Sequence, residues 1–310
     1  MERKTLSDAS DPVYHVPVLL REAVEGLNIR PDGIYVDCTL GGGGHGGAIL
    51  ERLGPTGRLI AFDQDADAVR NLPADPRVEF CPQNFRHLRR FLRLLDVDRV
   101  DGVLADLGVS SHQFDEAARG FSTRFEGPLD MRMDQRQSVT AADVIARYSE
   151  SELHRMFERY GEVTNAKTLA RHLVAKRQHL SIDSTQALKE AIREIVKGNP
   201  SKYFAQVFQA LRMEVNEEMP ALKELLEQLP EVLRSGGRAA IITFHSIEDR
   251  LVKHFFRQGS FQEPDPNPFS RAEPVLPFEV ITRKPIEPSE HEQRINPRSR
   301  SAKLRIAERR

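Results

Sequence analysis

The chain has 310 residues, and its 45 lysines and arginines are balanced by 46 aspartates and glutamates, which gives a formal net charge of −1. This balance argues against a strongly basic nucleic-acid binder of the histone or ribosomal-protein type. Hydrophobic residues make up 39% of the chain, which is enough for a packed core and too much for a disordered protein. The length fits one large domain or two moderate ones.

The chain contains two cysteines, Cys38 and Cys81, and no cluster of cysteine and histidine. This excludes a disulfide framework and a zinc site, so we expect no metal. The N-terminal residues lack the apolar segment of a signal peptide, and no apolar run approaches the roughly 20 residues that span a bilayer. A cytoplasmic protein without a membrane partner is therefore expected.

The first third of the chain alternates strand-like and helix-like segments. The helix-like segments cover Gly47–Leu53, a stretch from about Ala66, and the amphipathic run that follows Phe85. Strands and helices that alternate at this spacing are typical of a parallel α/β sheet. The predicted strands are Ile34–Cys38, Arg58–Asp63, Val78–Cys81 and Asp101–Val109.

The middle of the chain carries helical signals only. Residues 113–137 are loop-like, and Thr140–Val196 is predicted to be helical. Within this stretch Ser149 and Glu152 form a capping box at the start of one helix, which is predicted to end at Tyr160–Gly161, and a further helix is predicted to begin near Ser184. One long helix is predicted from about Phe204 to Leu233, which Pro220 should kink or restart.

The α/β pattern resumes in the last third. Gly236–Ser246 is predicted to form a strand, and a helix is predicted directly after it. Phe261–Phe278 is predicted to be a proline-rich loop, and two strands are predicted at the end of the chain. We therefore predict an α/β domain made of residues 1–112 and 206–310, interrupted by an inserted loop and helical domain of residues 113–205.

A run of glycines after the first strand predicts a ligand site. Gly41-x-Gly43-x-x-Gly46 formally matches the dinucleotide fingerprint, and Asp63, 20 residues beyond Gly43, could accept hydrogen bonds from both hydroxyls of a ribose. NAD and S-adenosylmethionine (SAM) are the two candidate ligands. Asp37 favours SAM, because a carboxylate before the glycines repels a pyrophosphate and suits a ligand with ammonium and sulfonium charges.

Two further polar residues end predicted strands. Asp106, at the end of the fourth strand, can accept hydrogen bonds from a cofactor amine or a substrate amine, or simply cap a loop. His245 could be a base or a substrate contact. In the same segment Ser246 is predicted to cap the next helix, with Asp249 completing a capping box.

Seven blocks of sequence together resemble the bacterial 16S rRNA (cytosine-N4) methyltransferase family known as RsmH or MraW. They run in the family's order from about residue 15 to residue 308, so the resemblance covers nearly the whole chain. The blocks are His15–Leu20, Asp37–His45, Asp101–Ser111, Gly127–Met133, Phe208–Arg212 with Val215 and Asn216, Phe244–Arg250 and Asn296–Arg305.

The resemblance implies a Rossmann-like class I SAM-dependent methyltransferase sheet with an inserted helical substrate-recognition domain. It also implies transfer of a methyl group from SAM to the exocyclic N4 of a cytidine in the decoding region of 16S rRNA, in the small ribosomal subunit. The family's SAM-contacting positions correspond to Gly43, Gly44, His45, Asp63, Phe85, Asp106 and Gln113. The chain departs from the family pattern at Gly46, Thr164 and Gln206; the last two stand where the family commonly has arginines.

Methyl transfer to N4 requires an acceptor for an amino proton, because the nitrogen lone pair is conjugated into the cytosine ring. Asp106 is the leading candidate for this catalytic role. His245, Asp130, Ser110 and Asn296 are secondary candidates.

Local basic stretches predict RNA contacts despite the neutral total charge. Seven lysines and arginines between Arg294 and Arg310 face one acidic residue, and a second basic stretch covers Phe85–Arg99. The residues predicted to contact RNA phosphates in the C-terminal stretch are Arg298, Arg300 and Lys303.

The alternatives to a methyltransferase are an NAD-dependent oxidoreductase and a non-catalytic RNA-binding assembly factor. A monomer and a homodimer are both compatible with the sequence.

Overall fold

The computed structural model describes residues 17–261 and 276–310, and the strands among them form one seven-stranded sheet. The strands lie in the order β3-β2-β1-β4-β5-β7-β6, in which β1 to β5 are parallel and β7 runs antiparallel between β5 and β6. They are β1 (Ile34–Asp37), β2 (Arg58–Phe62), β3 (Val78–Cys81), β4 (Val100–Asp106), β5 (Leu233–Thr243), β6 (Phe278–Val280) and β7 (Lys303–Arg309).

Helices cover both faces of the sheet and form the middle of the chain. The segment from Ala66, predicted as an α-helix, is a 3₁₀ turn, and the predicted loop 113–137 contains the end of a short helix and another 3₁₀ turn. The α-helices are α1 (Leu20–Gly26), α2 (Gly44–Leu50), α3 (Leu88–Leu94), α4 (Ser111–Asp115), α5 (Ala141–Arg147), α6 (Glu150–Arg159), α7 (Ala166–Lys176), α8 (Thr185–Ile192), α9 (Pro200–Val215), α10 (Glu218–Val232), α11 (Ser246–Gln258) and α12 (Glu290–Ile295).

The sheet separates two apolar cores. Successive side chains of a strand point to opposite faces, so Tyr35 packs into one core and Val36 into the other, as do Leu104 and Val103. α3, α10 and α11 pack on one face, and α1 and α2 on the other. The predicted α/β class is confirmed.

A third core lies within the helices of the middle segment and includes buried residues from Phe121 to Val215. The capping box of Ser149 and Glu152 is present at the start of α6, and Ser184 caps α8, as predicted. The predicted domain boundary at 205/206 falls inside α9, whose Val207 and Leu211 pack into this helical core. We propose that the inserted unit ends after Val215.

The long helix predicted from Phe204 to Leu233 is two helices. The break lies at Asn216 and Glu217, where Glu217 has a left-handed backbone with φ 48°. Pro220 sits in the first turn of α10, where its missing N–H costs no helical hydrogen bond. The prediction of a new start was correct, but the break precedes the proline.

Most of the predicted loop Phe261–Phe278 lies outside the described residues. Among those that are described, no helix combines the length and the apolar character needed to cross a bilayer.

Candidate active site

Three acidic residues meet at one edge of the sheet. β1 ends at Asp37 and β4 at Asp106, and Asp63 directly follows β2. Because β2, β1 and β4 are parallel neighbours, their carboxyl ends lie together. The structure therefore brings together three residues that are separated in the sequence, since Asp63 and Asp106 alone are 43 positions apart.

Asp37 is completely buried under the glycine loop. Its Oδ1 accepts a hydrogen bond from the Thr39 N–H at 3.0 Å, while Oδ2 has no hydrogen-bond partner. Burial raises the pKa of Asp37 to about 7, although the Thr39 hydrogen bond lowers it. A ligand cannot touch a fully buried side chain, so we propose that Asp37 acts on a cofactor through its charge and not through the direct contact expected from the sequence.

Asp63 holds the glycine loop and remains partly exposed. Its two oxygens accept hydrogen bonds from the N–H groups of Gly41 and Asp65, both at 2.8 Å. Burial raises its pKa to about 6, against the effect of these hydrogen bonds. Each carboxylate oxygen has a second lone pair, so the group can still accept hydroxyl donors.

The glycines of the loop have two different roles. A Cβ at Gly43, whose φ is +77°, would lie 2.7 Å from the Asn71 carbonyl oxygen, and one at Gly44 would lie 2.1 Å from Pro17 Cγ. These two positions need glycine for packing. Gly42, which the sequence did not single out, is exposed, and a Cβ there would meet nothing within 4 Å. Gly42 therefore faces open space in the glycine loop.

His45 and Asp106 lie next to each other at the same edge. The His45 Nε2 hydrogen-bonds the Val18 carbonyl at 3.1 Å, which leaves Nδ1 facing Asp106 Oδ2 at 3.7 Å. Burial lowers the pKa of His45 to about 4, so the ring is neutral at pH 7. With Nε2 as the donor to Val18, a lone pair on Nδ1 points toward Asp106.

Asp106 combines an unsatisfied buried oxygen with partial exposure. Its Oδ1 is buried without a hydrogen-bond partner, although 23% of the side chain is exposed. Burial, followed by the charges of Asp37 and Glu248, raises the pKa of Asp106 well above its usual range. Acids whose pKa is perturbed in this way cluster at functional sites.

Gln113 is buried, and both ends of its side chain are engaged. Its Oε1 accepts from the Ser110 N–H at 3.0 Å, and its Nε2 donates to Asp65 at 2.6 Å. The Ser110 hydroxyl accepts from the Gln113 N–H, so Ser110 caps α4. Arg119 also pairs with Asp65, at 2.8 Å, and both groups are buried. Gln113 thus joins the loop after β2 to the helix after β4.

Phe85 begins the 3₁₀ turn after β3 and is packed, partly buried, against the sheet core. The preceding residue, Asn84, donates a 2.8 Å hydrogen bond to Gln64, next to Asp63. This contact ties the segment of Phe85 to the site.

His245 is the cap of α11, and the predicted cap at Ser246 is wrong. The His245 Nδ1 accepts from the Glu248 N–H at 3.4 Å, and its Nε2 lies 3.1 Å from the buried Glu248 carboxylate. The ring is therefore oriented by Glu248. Asp249 does not form the predicted capping box, because Arg305 binds its carboxylate at 2.6 and 3.0 Å.

Asp130 lies in the inserted unit and is held by Arg132, which donates to both of its oxygens at 2.8 and 2.7 Å. Burial raises its pKa, but the Arg132 hydrogen bonds outweigh this effect, so the pKa is lowered. A carboxylate held in this way is a weak base. Asn296, another candidate, uses its side chain to accept from the Arg298 N–H at 3.2 Å.

The basic C-terminal stretch is partly committed to the fold. Arg305 pairs with Asp249, and Arg309 donates to the Pro230 carbonyl at 3.0 Å. Arg298 is paired with Asp115 and stacks on Phe114, 4.9 Å from the ring centroid. Arg300 is exposed, and the Lys303 backbone carbonyl accepts from Thr243 within the sheet.

The structure also assigns polar residues that the sequence reading missed: Asp65, Arg119 and Glu248. All three are buried charged residues. Asp65 and Glu248 lie two and three residues from the predicted site residues Asp63 and His245, which is the signal that could have found them, whereas no local pattern marks Arg119. Within residues 17–261 and 276–310, no group of three His, Cys, Asp or Glu side chains is arranged to hold a metal ion.

Comparison with known proteins identifies the family of the chain. The family model described as "MraW methylase family" matches residues 12–310. A protein named ribosomal RNA small subunit methyltransferase H from Cytophaga hutchinsonii is 55% identical over 300 residues, which covers 96% of this chain and 100% of the relative. The protein of that name from Parabacteroides distasonis is 52% identical, and the match covers 97% of this chain and 99% of the relative. The one from Flavobacterium johnsoniae is also 52% identical, and the match covers 95% of this chain and 97% of the relative.

The resemblance predicted from the seven sequence blocks is therefore confirmed, together with the Rossmann-like class I methyltransferase sheet that it implied. The chain belongs to the MraW methylase family.

Proposed function

We propose that this protein transfers a methyl group from SAM to the exocyclic N4 of a specific cytidine in the decoding region of 16S rRNA. One observation carries the proposal: Asp106 Oδ1, a buried carboxylate oxygen at the end of β4, lacks a hydrogen-bond partner, and the fully buried Asp37 carboxylate lies at the end of the neighbouring strand. An unsatisfied acceptor of this kind calls for a cationic or hydrogen-bond-donating ligand. Family membership and the names of the relatives support the same reaction.

The residues at the sheet edge fit SAM. Asp63 can accept the ribose hydroxyls, the open face of Gly42 allows close approach, and Asp37 and Asp106 supply negative charge for the ammonium and sulfonium groups. The pyrophosphate of NAD would meet the same carboxylates and be repelled, so an oxidoreductase is not favoured. When bound, SAM supplies an electrophilic methyl group on a positively charged sulfur.

Asp106 is the residue that we assign to the amino group of the substrate. Its exposed part can accept a hydrogen bond from an N4 hydrogen, and its raised pKa suits it to keep the proton that N4 gives up. The neutral His45 ring holds a lone pair toward Asp106 and can therefore orient the proton once this carboxylate has accepted it from N4. Asp130 and His245 are less suited, because Arg132 and the N-terminus of α11 already engage them.

The substrate is proposed to be 16S rRNA, free or in the small ribosomal subunit, which places the enzyme in the cytoplasm. The target base must be unstacked to reach the site, as for other enzymes that act on a base. Arg300 and Lys303, on the segment that enters β7, are placed to contact the RNA backbone, and Arg298 can do so in exchange for Asp115.

Methyl transfer from isotopically labelled SAM to naked 16S rRNA and to isolated small subunits, followed by mapping of the labelled nucleotide, tests the proposal. Label on N4 of a single cytidine is the expected result. Label on a carbon atom or at scattered positions would refute the N4 assignment. Binding of RNA and SAM without any turnover would instead support the non-catalytic assembly factor.

A further inference from the structure

A basic groove lies between α3 and α10, outside the site described above. It encloses about 480 Å³ and is lined by Arg86, His87, Arg89, Arg90, Arg93, Leu94 and Gln228. Four of these seven residues are arginines. We propose that this groove binds the phosphate backbone of the RNA strand that continues from the target nucleotide, an inference that rests on the proposed function.

The arginines of the groove fall into two groups. Those nearest α10 are neutralised: Arg86 pairs with Glu217 and Glu224, and Arg89 pairs with Glu231. Arg86 and Arg89 are therefore already engaged by glutamates in the free protein, and phosphate contacts by these two arginines stay a prediction. The glutamates of α10 hold the wall of the groove in place through these ion pairs.

Arg90 and Arg93 form the second group. Both are exposed, and the guanidinium group of neither forms a hydrogen bond or an ion pair with any residue in 17–261 or 276–310. They are three residues apart on α3, so their side chains are neighbours on one face of the helix, in line with His87 one turn earlier. Two adjacent uncompensated guanidinium groups form a typical contact for consecutive phosphates.

The groove begins one residue after Phe85, in the segment that is joined to the active site. The 3₁₀ turn Phe85–His87 follows the carboxyl end of β3, which lies at the same sheet edge as Asp63. The Asn84–Gln64 hydrogen bond joins the two loops directly. α3 then leads away from that edge, so an RNA strand leaving the site could follow it past Arg90 to Arg93.

The test is the affinity for a fragment of 16S rRNA as a function of salt. The double variant Arg90→Gln/Arg93→Gln should bind the fragment more weakly, and the slope of log K against log salt should become shallower by about 1.4, since each contact to single-stranded nucleic acid contributes about 0.7. The KM for RNA should rise, while kcat at saturating RNA and the affinity for SAM stay unchanged.

A matched control removes two positive charges elsewhere. Lys253 and Arg257 are exposed on α11, and Lys253→Gln/Arg257→Gln should leave the slope near that of the parent protein. A shift of equal size in both double variants would mean that only total charge matters, and it would overturn the proposal. Unchanged RNA binding in Arg90→Gln/Arg93→Gln would also overturn it.

A variant with the opposite expected sign makes the test stricter. Glu231→Gln releases Arg89 from its ion pair, so RNA should bind more tightly and the slope should steepen by about 0.7. Weaker binding in this variant would contradict the proposal. If the parent protein methylates no RNA at all, the proposed function fails, whereas normal methylation with unaltered salt slopes in all variants refutes the groove alone.

Discussion

Gln113 donates a 2.6 Å hydrogen bond to Asp65, from which it is separated by 48 residues, and both side chains are buried. The bond connects the loop that follows Asp63 to the helix that follows Asp106. Arg119 binds the same carboxylate and also donates to the carbonyl oxygens of Arg132 and Met133. The two strand ends of the site and the first part of the inserted unit are thus held by one carboxylate.

Replacement of Gln113 should weaken this connection without unfolding the protein. In Gln113→Leu, Asp65 keeps Arg119 but loses one buried hydrogen bond, which should cost about 1–3 kcal/mol of folding free energy. We expect a lower melting temperature and weaker SAM binding by calorimetry. Ser110→Ala, which removes only the α4 cap, is the control. Equal SAM affinity in Gln113→Leu and the parent protein would show that the connection does not position the site.

SAM binding should become tighter as the pH rises. Burial raises the pKa of Asp37 to about 7 and also raises the pKa of Asp106, so ionisation of both carboxyls is disfavoured as the solution becomes more acidic. A cationic ligand favours the ionised forms, and its binding should release protons. Calorimetry in buffers of different ionisation enthalpy should detect this release, with affinity increasing up to about tenfold per pH unit below pH 7 for each proton released. S-adenosylhomocysteine, whose sulfur is uncharged, is the control and should depend less on pH.

Asp106→Asn should abolish methyl transfer and stabilise the fold at neutral pH. The pKa of Asp106 is raised on folding, so the group destabilises the folded state increasingly as the pH rises above its unfolded value near 4. The variant should therefore melt several degrees above the parent protein at pH 8 and close to it at pH 4. Thermal scans at both values, beside methyl-transfer assays, check this. Full activity in Asp106→Asn would remove Asp106 from the chemistry.

The glycine loop allows a test of where the cofactor lies. Gly42→Leu should fold normally, because open space surrounds that position, but the side chain should occupy the site and reduce SAM affinity at least tenfold. Gly47→Leu is the matched control, since a Cβ at Gly47 in α2 also meets nothing within 4 Å. Equal SAM affinity in the two variants would place the cofactor elsewhere.

The buried Asp249–Arg305 pair should show how strongly α11 is attached to β7. Arg305→Met leaves the Asp249 carboxylate buried without its partner, which should cost about 3–5 kcal/mol. The double variant Asp249→Leu/Arg305→Met should regain most of this loss, because no charge is left buried. Denaturant unfolding measures both. A double variant as unstable as the single one would indicate that packing, and not the unpaired charge, causes the loss.

The features that could be predicted from the sequence are those set by neighbouring residues. Apolar runs identified β1 to β4, and the Ser149–Glu152 box identified the start of α6 within a single turn. The grouping of Asp37, Asp63 and Asp106 followed from the parallel order of the strands.

The features that the sequence did not predict depend on distant partners. Asn216 ends α9 by donating to the Met131 carbonyl and accepting from the Met133 N–H, so the break falls before Pro220. Asp249 is bound by Arg305, which leaves the cap of α11 to His245. Arg86 is neutralised by two glutamates more than 130 residues away. No local pattern contains these contacts.

The position of β7 has a consequence for the order of folding. It pairs with β5, from which it is separated by 60 to 70 residues of chain, and it also pairs with β6. Neither β5 nor β6 can therefore pair on this side of the sheet before residues 303–309 have been synthesised. Contacts of this sequence separation form slowly. The helical core between Phe121 and Val215, by contrast, is complete in sequence well before β7, which begins at Lys303. During synthesis the inserted unit can therefore become compact before β6 and β7 have been made. The sheet that carries the active-site carboxylates is still incomplete at that stage.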